Sequence, residues 1–241
     1  MFADVFQHLD WSVLTGMLLR VVPALLCITL HELAHGFTAY RLGDNTAKQM
    51  GRLTLNPIKH IDVVGLIMMM LFRFGWAKPV PVNMHNFKRP KWYMAITAIA
   101  GPVSNILIAV VAFAIFGLTF TALGGAFVFS AGGVTINAEG VGSVVIEIIY
   151  LTAYLSTALA IFNLLPIPPL DGSKVLFSLL PERVYFKLMR YERYGMIVLV
   201  IFLSVDRIFN TNVFGSTIGW LTQTLVDKLS VVWVAAFQLV N

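Results

Sequence analysis

Three side chains inside one hydrophobic run are chemically out of place: His31, Glu32 and His35, within VPALLCITLHELAHGFTAYRL at 22–42. On a helix, positions i and i+4 lie one above the other on a single face. His31 and His35 can therefore offer two imidazoles to one metal ion. Glu32 sits about 100° round, beside the metal but off the ligand line. The H-E-x-x-H spacing is that of two zinc ligands and a general base. An ionised acid at mid-bilayer costs about 2.5–3.5 kcal/mol on insertion scales, so such residues face an interior or a water-filled cavity and serve a function.

A zinc site built for hydrolysis keeps three protein ligands and leaves the fourth position to water. Asp171 is the natural third ligand: it follows the Pro-rich break NLLPIPPLDG, and Gly172 permits a tight turn there. The residues alone leave Asp44, His60, Asp62 and Cys27 as rivals, and leave Asp171 a second role as a helix N-cap. His60 and His85 read as loop residues, and Cys27 as a small packed side chain. Asn163, eight residues before Asp171, is the candidate for holding a substrate carbonyl or oxyanion. Asn105 lies in an apolar run, where it can touch substrate, support the ligands or bond a neighbouring helix.

The elements that must position these groups are membrane spans. The chain has 241 residues, 58% hydrophobic and 12% charged, with a mean hydropathy of +0.81. This composition describes a single all-α polytopic membrane domain over 1–241, with its catalytic core at about 11–180 and C-terminal spans at about 195–240. The net charge of +5 is concentrated in loops beside spans, which indicates orientation and anionic lipid and excludes a nucleic-acid partner. One cysteine excludes an internal disulfide. The first eleven residues lack the basic region of a cleaved signal peptide.

The first span is expected from about Trp11 to Leu42, kinked at Pro23, with Arg20 pairing with Glu147 or snorkelling. Trp92–Leu123 and Ser143–Leu165 are the next two. Apolar stretches at Gly195–Val205 and Val213–Val240, broken at Asp206-Arg207, allow further spans. Lys48, Arg52, Lys59, Arg73, Lys78, Lys88, Arg89 and Lys91 make 43–91 cytoplasmic by the positive-inside rule, as 166–194 is, with 124–142 outside. Within 43–91, Gly51–Leu55 and Lys78–Val82 read as short strands, the second confined to an edge by Pro79 and Pro81. Val63–Phe74 is too short to span and reads as re-entrant or interfacial. The edge-like pair Gly51, Arg52, Leu53, Thr54, Leu55 and Lys78–Val82 is expected to bind an unwound substrate by strand pairing.

HELAHG, GPVSN at 101–105 and NLLPIPPLDG together resemble the site-2 protease family of intramembrane zinc metalloproteases. GRLTLNPIKHID and FGWAKPVPVN resemble its compact bacterial-type branch, and the likeness covers about residues 20–195. The resemblance implies one zinc ion per chain on His31, His35 and Asp171, with Glu32 as catalytic acid/base. It also implies a three-span catalytic core, cleavage of transmembrane proteins in the bilayer, and regulated intramembrane proteolysis, in a bacterial inner membrane if the source is bacterial. The outer loop is too short to hold a PDZ domain. A zinc carrier and a non-proteolytic client-binding relative are the alternatives, and neither needs Glu32 beside the ligand pair.

Overall fold

The computed structural model describes residues 11–65, 76–122, 126–130, 133–137, 141–208 and 213–238. Helix α1 (Trp11–Arg41) carries the H-E-x-x-H sequence in its last third. A short α2 (Thr46–Gln49) and two 3-10 turns, Pro57–His60 and Met84–Asn86, precede the long α3 (Pro90–Ala122). Strands β1 (Ala126–Ser130) and β2 (Gly133–Asn137) form an antiparallel hairpin before α4 (Val141–Leu164). There follow α5 (Asp171–Ser178), α6 (Glu182–Tyr191), α7 (Gly195–Ile208) and α8 (Val213–Gln238). Among the described residues, three segments are long and apolar enough to cross a membrane: Val21–Arg41, Pro90–Thr119 and Val144–Leu164. Pro23 and Pro102 lie within α1 and α3 without ending them, as transmembrane helices allow when neighbours satisfy the freed carbonyls. Asp206 and Arg207 likewise continue α7, so the expected break falls later than those charges.

Helix α3 is the hub, packing on α1, α4, α5 and α8. Ala109, Ala112 and Phe113 of α3 meet Ala153 of α4 and Val226 of α8 in one buried cluster. Small residues suit this, because lipid is as apolar as leucine and close packing, not transfer from water, must hold spans together. Outward faces are the opposite: Leu107 is 61% exposed and Val111 57%. Buried polar side chains, among them Thr97, Asn105, Thr152, Ser156 and Asp171, collect inside. Apolar outside and polar within is the distribution a bilayer imposes.

The strands expected in 43–91 are not formed among the described residues there; the only described strand pair is the 126–137 hairpin. The reason lies in the main chain. Pro79 and Pro81 have no N–H to give. The Lys78 N–H donates to His60 O at 2.9 Å, and the Val80 N–H donates to Glu32 Oε2 at 2.8 Å. Arg52, buried, sends Nη2 to the carbonyls of Lys78 (2.7 Å) and Pro79 (3.3 Å). Gly51 turns the chain with φ +63°, and Leu53 packs over Gly36 of α1. Both segments are therefore consumed by each other and by α1, not left as an edge for pairing. Of Val63–Phe74, residues 66–74 lie outside the described residues, as does the Arg20 side chain; Glu147 is exposed.

One carboxylate fixes the far end of this segment. Asp44 is fully buried and accepts hydrogen bonds from the Thr46 N–H and hydroxyl, the Asn83 N–H (2.7 Å) and Asn86 Nδ2 (2.7 Å). Burial works against its charge, but these donors outweigh that and hold its carboxyl below the usual carboxylate value. A group with a depressed folded pKa stabilises the fold above its unfolded pKa, about 3.9, and loses that contribution as pH falls through the lower value. Asp44→Ala should therefore speed amide exchange across 76–89 at neutral pH while leaving the three spans protected. In the wild type the same amides should stay protected from pH 7 down to about 5 and lose protection only in more acid solution.

Candidate active site

Helix α1 delivers His31 and His35 one turn apart, and both are buried. Asp171 comes from the far side of the Pro-rich break as the first residue of α5. Leu170 holds the N-cap position and makes no side-chain cap, so Asp171 is not spent on capping. Its Oδ2 lies 3.2 Å from His31 Nε2 and 3.1 Å from His35 Nε2, and the two ring nitrogens are 3.1 Å apart. With bonds of about 2.0–2.1 Å, the edge of a tetrahedral zinc site is about 3.3 Å, so this triangle fits one face of such a site. Among the described residues it is the one group of His, Cys, Asp and Glu whose ligand atoms so converge.

Gly172 places Asp171, by a route different from the tight turn expected. A Cβ there would lie 2.1 Å from Leu164 O and 2.6 Å from Leu165 O. The glycine lets α5 start hard against the end of α4. Burial opposes a charge on Asp171, but the His31 and His35 rings beside it hold its carboxyl well below the usual carboxylate range.

The GPVSN stretch supplies the support for both imidazoles. A Cβ at Gly101 would stand 2.4 Å from His35 Nε2 and 2.6 Å from His31 Cε1, so α3 can carry only glycine where it crosses the ligands. His35 Nδ1 donates to Thr97 O at 2.7 Å, which leaves Nε2 with a free lone pair toward the triangle. Asn105, fully buried, has its amide 3.1 Å from His31 Nδ1, while Asn105 Oδ1 has no partner. Ligation through Nε2 makes Nδ1 a donor. A half-turn of the amide, chemically equivalent in shape, brings that orphaned oxygen to accept from it. The donor set and its supports thus fit a metal.

Glu32 is beside the triangle but not in it, its carboxylate oriented by the Val80 N–H. It lines a cavity of about 440 Å³ with His31, His35, Asn163, Asp171, Lys174 and Glu192. Asn163 reaches the cavity, but its Nδ2 donates to Leu159 O of its own helix at 3.0 Å, leaving its oxygen and second N–H for a ligand. None of Gly51, Arg52, Leu53, Thr54 and Leu55 is among the cavity-lining residues described. The rival ligands go elsewhere. Asp44 pins the loop, His60 Nε2 bonds Thr54 O at 3.0 Å, Asp62 accepts from the Gly65 N–H, and the Cys27 thiol donates to Thr152 O. Lys174, in sequence one of the cations that mark 166–194 as cytoplasmic, stands 3.7 Å from Asp171 Oδ1 and 3.2 Å from Glu192 Oε1. Burial disfavours its charge, but Glu192 and Asp171 outweigh that and raise it above the ordinary lysine value.

Removing these supports should weaken the hold of the triangle on any metal bound there. Asn105→Leu, close in size, should weaken zinc binding about 10–100-fold, the usual cost of deleting a ligand's hydrogen-bond partner. Gly101→Ala should abolish tight binding by displacing both rings. Zinc content after dialysis against graded chelator is the measurement, with α-helical circular dichroism as the control for folding.

The sequence matches peptidase family M50 over residues 21–205. A protein of Bacillus subtilis named as a zinc metalloprotease, YwhC, is 40% identical over 185 residues, spanning 76% of this chain and 80% of that one. The Rip2 proteins, named likewise, are 28% identical over 207 residues in Mycolicibacterium smegmatis (83% of this chain, 71% of theirs) and 27% over 195 residues in Mycobacterium tuberculosis (78% and 68%). No solved structure matches the chain. With the ligand triangle, the flanking glutamate and three membrane-competent helices in view, the match is one of kind as well as of sequence: the chain belongs to peptidase family M50, the site-2 protease family of metalloproteases.

Proposed function

We propose that this metalloprotease hydrolyses peptide bonds of transmembrane proteins inside the bilayer, using one zinc ion on His31, His35 and Asp171, as a step in regulated intramembrane proteolysis. The observation that carries the reading is that Glu32 is fixed beside the three converging ligand atoms, in a cavity at the end of the spans. Bound there, zinc would supply a water acidified toward neutral pH and would polarise the scissile carbonyl. Glu32 takes the proton of the attacking water and passes it to the leaving amine. The Val80 N–H steadies one carboxylate oxygen, so the other is the one directed to the reaction. Asn163, with its free oxygen and N–H on the cavity wall, is placed to hold the substrate backbone.

A zinc carrier would need the ligands but not the glutamate beside them, and the hydrogen bond that fixes Glu32 favours the protease. The cations of 43–91 and 166–194 favour a cytoplasmic placement of this end of the spans, from which water would reach the site. The partners in this reading are a transmembrane protein substrate and the lipid bilayer.

The test is cleavage of a membrane-inserted peptide by the full chain in liposomes. Glu32→Gln should lower turnover about 10²–10⁴-fold, the usual worth of a general base, with zinc content unchanged. His31→Ala should lose both. Full turnover by Glu32→Gln would remove the glutamate from the mechanism.

A further inference from the structure

The two oxygens of Asp171 have different surroundings. Oδ2 faces the Nε2 atoms of both histidines. Oδ1 faces Lys174 Nζ, one turn further along α5 at 3.7 Å. Lys174 is in turn held at 3.2 Å by Glu192 Oε1, from the 3-10 turn Glu192–Tyr194 that joins α6 to α7. Carboxylate, ammonium and carboxylate therefore form a short chain along the wall of the site cavity, with the metal-facing carboxylate at one end.

A carboxylate beside a divalent metal can bind through one oxygen or through both. Binding through both fills space that a hydrolytic site must keep for water and substrate. We propose that Lys174, itself fixed by Glu192, is a positioning residue that holds Asp171 as a one-oxygen ligand. The ammonium, hydrogen-bonded to Glu192, attracts Oδ1 away from the imidazoles by its charge. In this role Lys174 acts through Asp171, not on the metal or the reacting atoms directly. Glu192 adds a mechanical link, because the α6–α7 junction then bears on the ligand set. This rests on the reading that His31, His35 and Asp171 hold the metal.

The experiment uses the full-length chain in liposomes, loaded with zinc for kinetics and with cobalt(II) for spectroscopy. Lys174→Met should still bind cobalt but with a weaker visible absorption band, the sign of a fifth ligand atom as Oδ1 joins the metal. Its kcat should fall about 10–100-fold, as for other losses of a ligand's partner, with KM nearly unchanged. Lys174→Arg should restore the band and most of kcat, which a merely space-filling role would not give. Glu192→Gln, which leaves the lysine in place, should shift both readouts in the same direction by less, and it serves as the test should Lys174→Met fail to fold. A wild-type cobalt band and wild-type kcat in Lys174→Met, or in Glu192→Gln where that variant stands in, would overturn the proposal. If the wild type binds no metal, or His31→Ala keeps it, the failure belongs to the ligand assignment instead.

Discussion

Everything in this protein depends on bringing one carboxylate oxygen of α5 within 3.2 Å of two imidazoles of α1. The groups are buried, and a buried carboxylate without partners is expensive enough to disrupt a fold. The surrounding architecture makes the encounter possible by removing obstacles. Gly172 lets α5 begin against the end of α4, and Gly101 lets α3 pass across the histidines with no side chain between. Each glycine stands where a single methyl group would collide with backbone or ring. Sequence conservatism in such places would follow from geometry, with no chemical role for the glycine itself.

The site is also oriented from outside the triangle. Thr97 O fixes His35, the Asn105 amide faces His31, and the Val80 N–H fixes Glu32. Two of these groups lie on α3 and the third on the irregular segment after residue 76. That segment is held in turn by Arg52 on two carbonyls and by Asp44 at its far end. Glu32, on a membrane-competent helix, thus owes its orientation to a loop, and the loop owes its path to one buried arginine and one buried aspartate. The histidine pair and Glu32 are supported by separate elements, so damage to the loop and damage to α3 should have separable consequences.

How much of this could be read from the sequence follows from how local each signal is. His31, Glu32 and His35 are visible because i and i+4 spacing fixes a shared face without any knowledge of the tertiary fold. The three spans are visible because apolar length alone decides them, and Trp11–Leu42 was bounded to within a residue of α1. Asp171 was legible as the carboxylate after a Pro-rich stop, though only packing excludes Asp44, His60, Asp62 and Cys27. The strands expected at Gly51–Leu55 and Lys78–Val82 failed for a non-local reason. Their amides and carbonyls are taken by His60, Glu32 and Arg52, and no periodicity records that. The purpose of Gly101 is equally hidden, since it depends on where α3 crosses α1. In sequence Lys174 is one more cation of 166–194; its place between Asp171 and Glu192 appears only when α5 meets the α6–α7 junction.

The most direct measurement is the anomalous scattering of zinc in crystals of the purified protein, read together with the identity of the atoms around it. The proposed site predicts one zinc peak per chain, within bonding distance of His31 Nε2, His35 Nε2 and a single Asp171 oxygen, with Glu32 close by but unbound. A peak ligated by Asp44, His60 or Cys27, or a histidine pair holding zinc with Asp171 turned away, would contradict it.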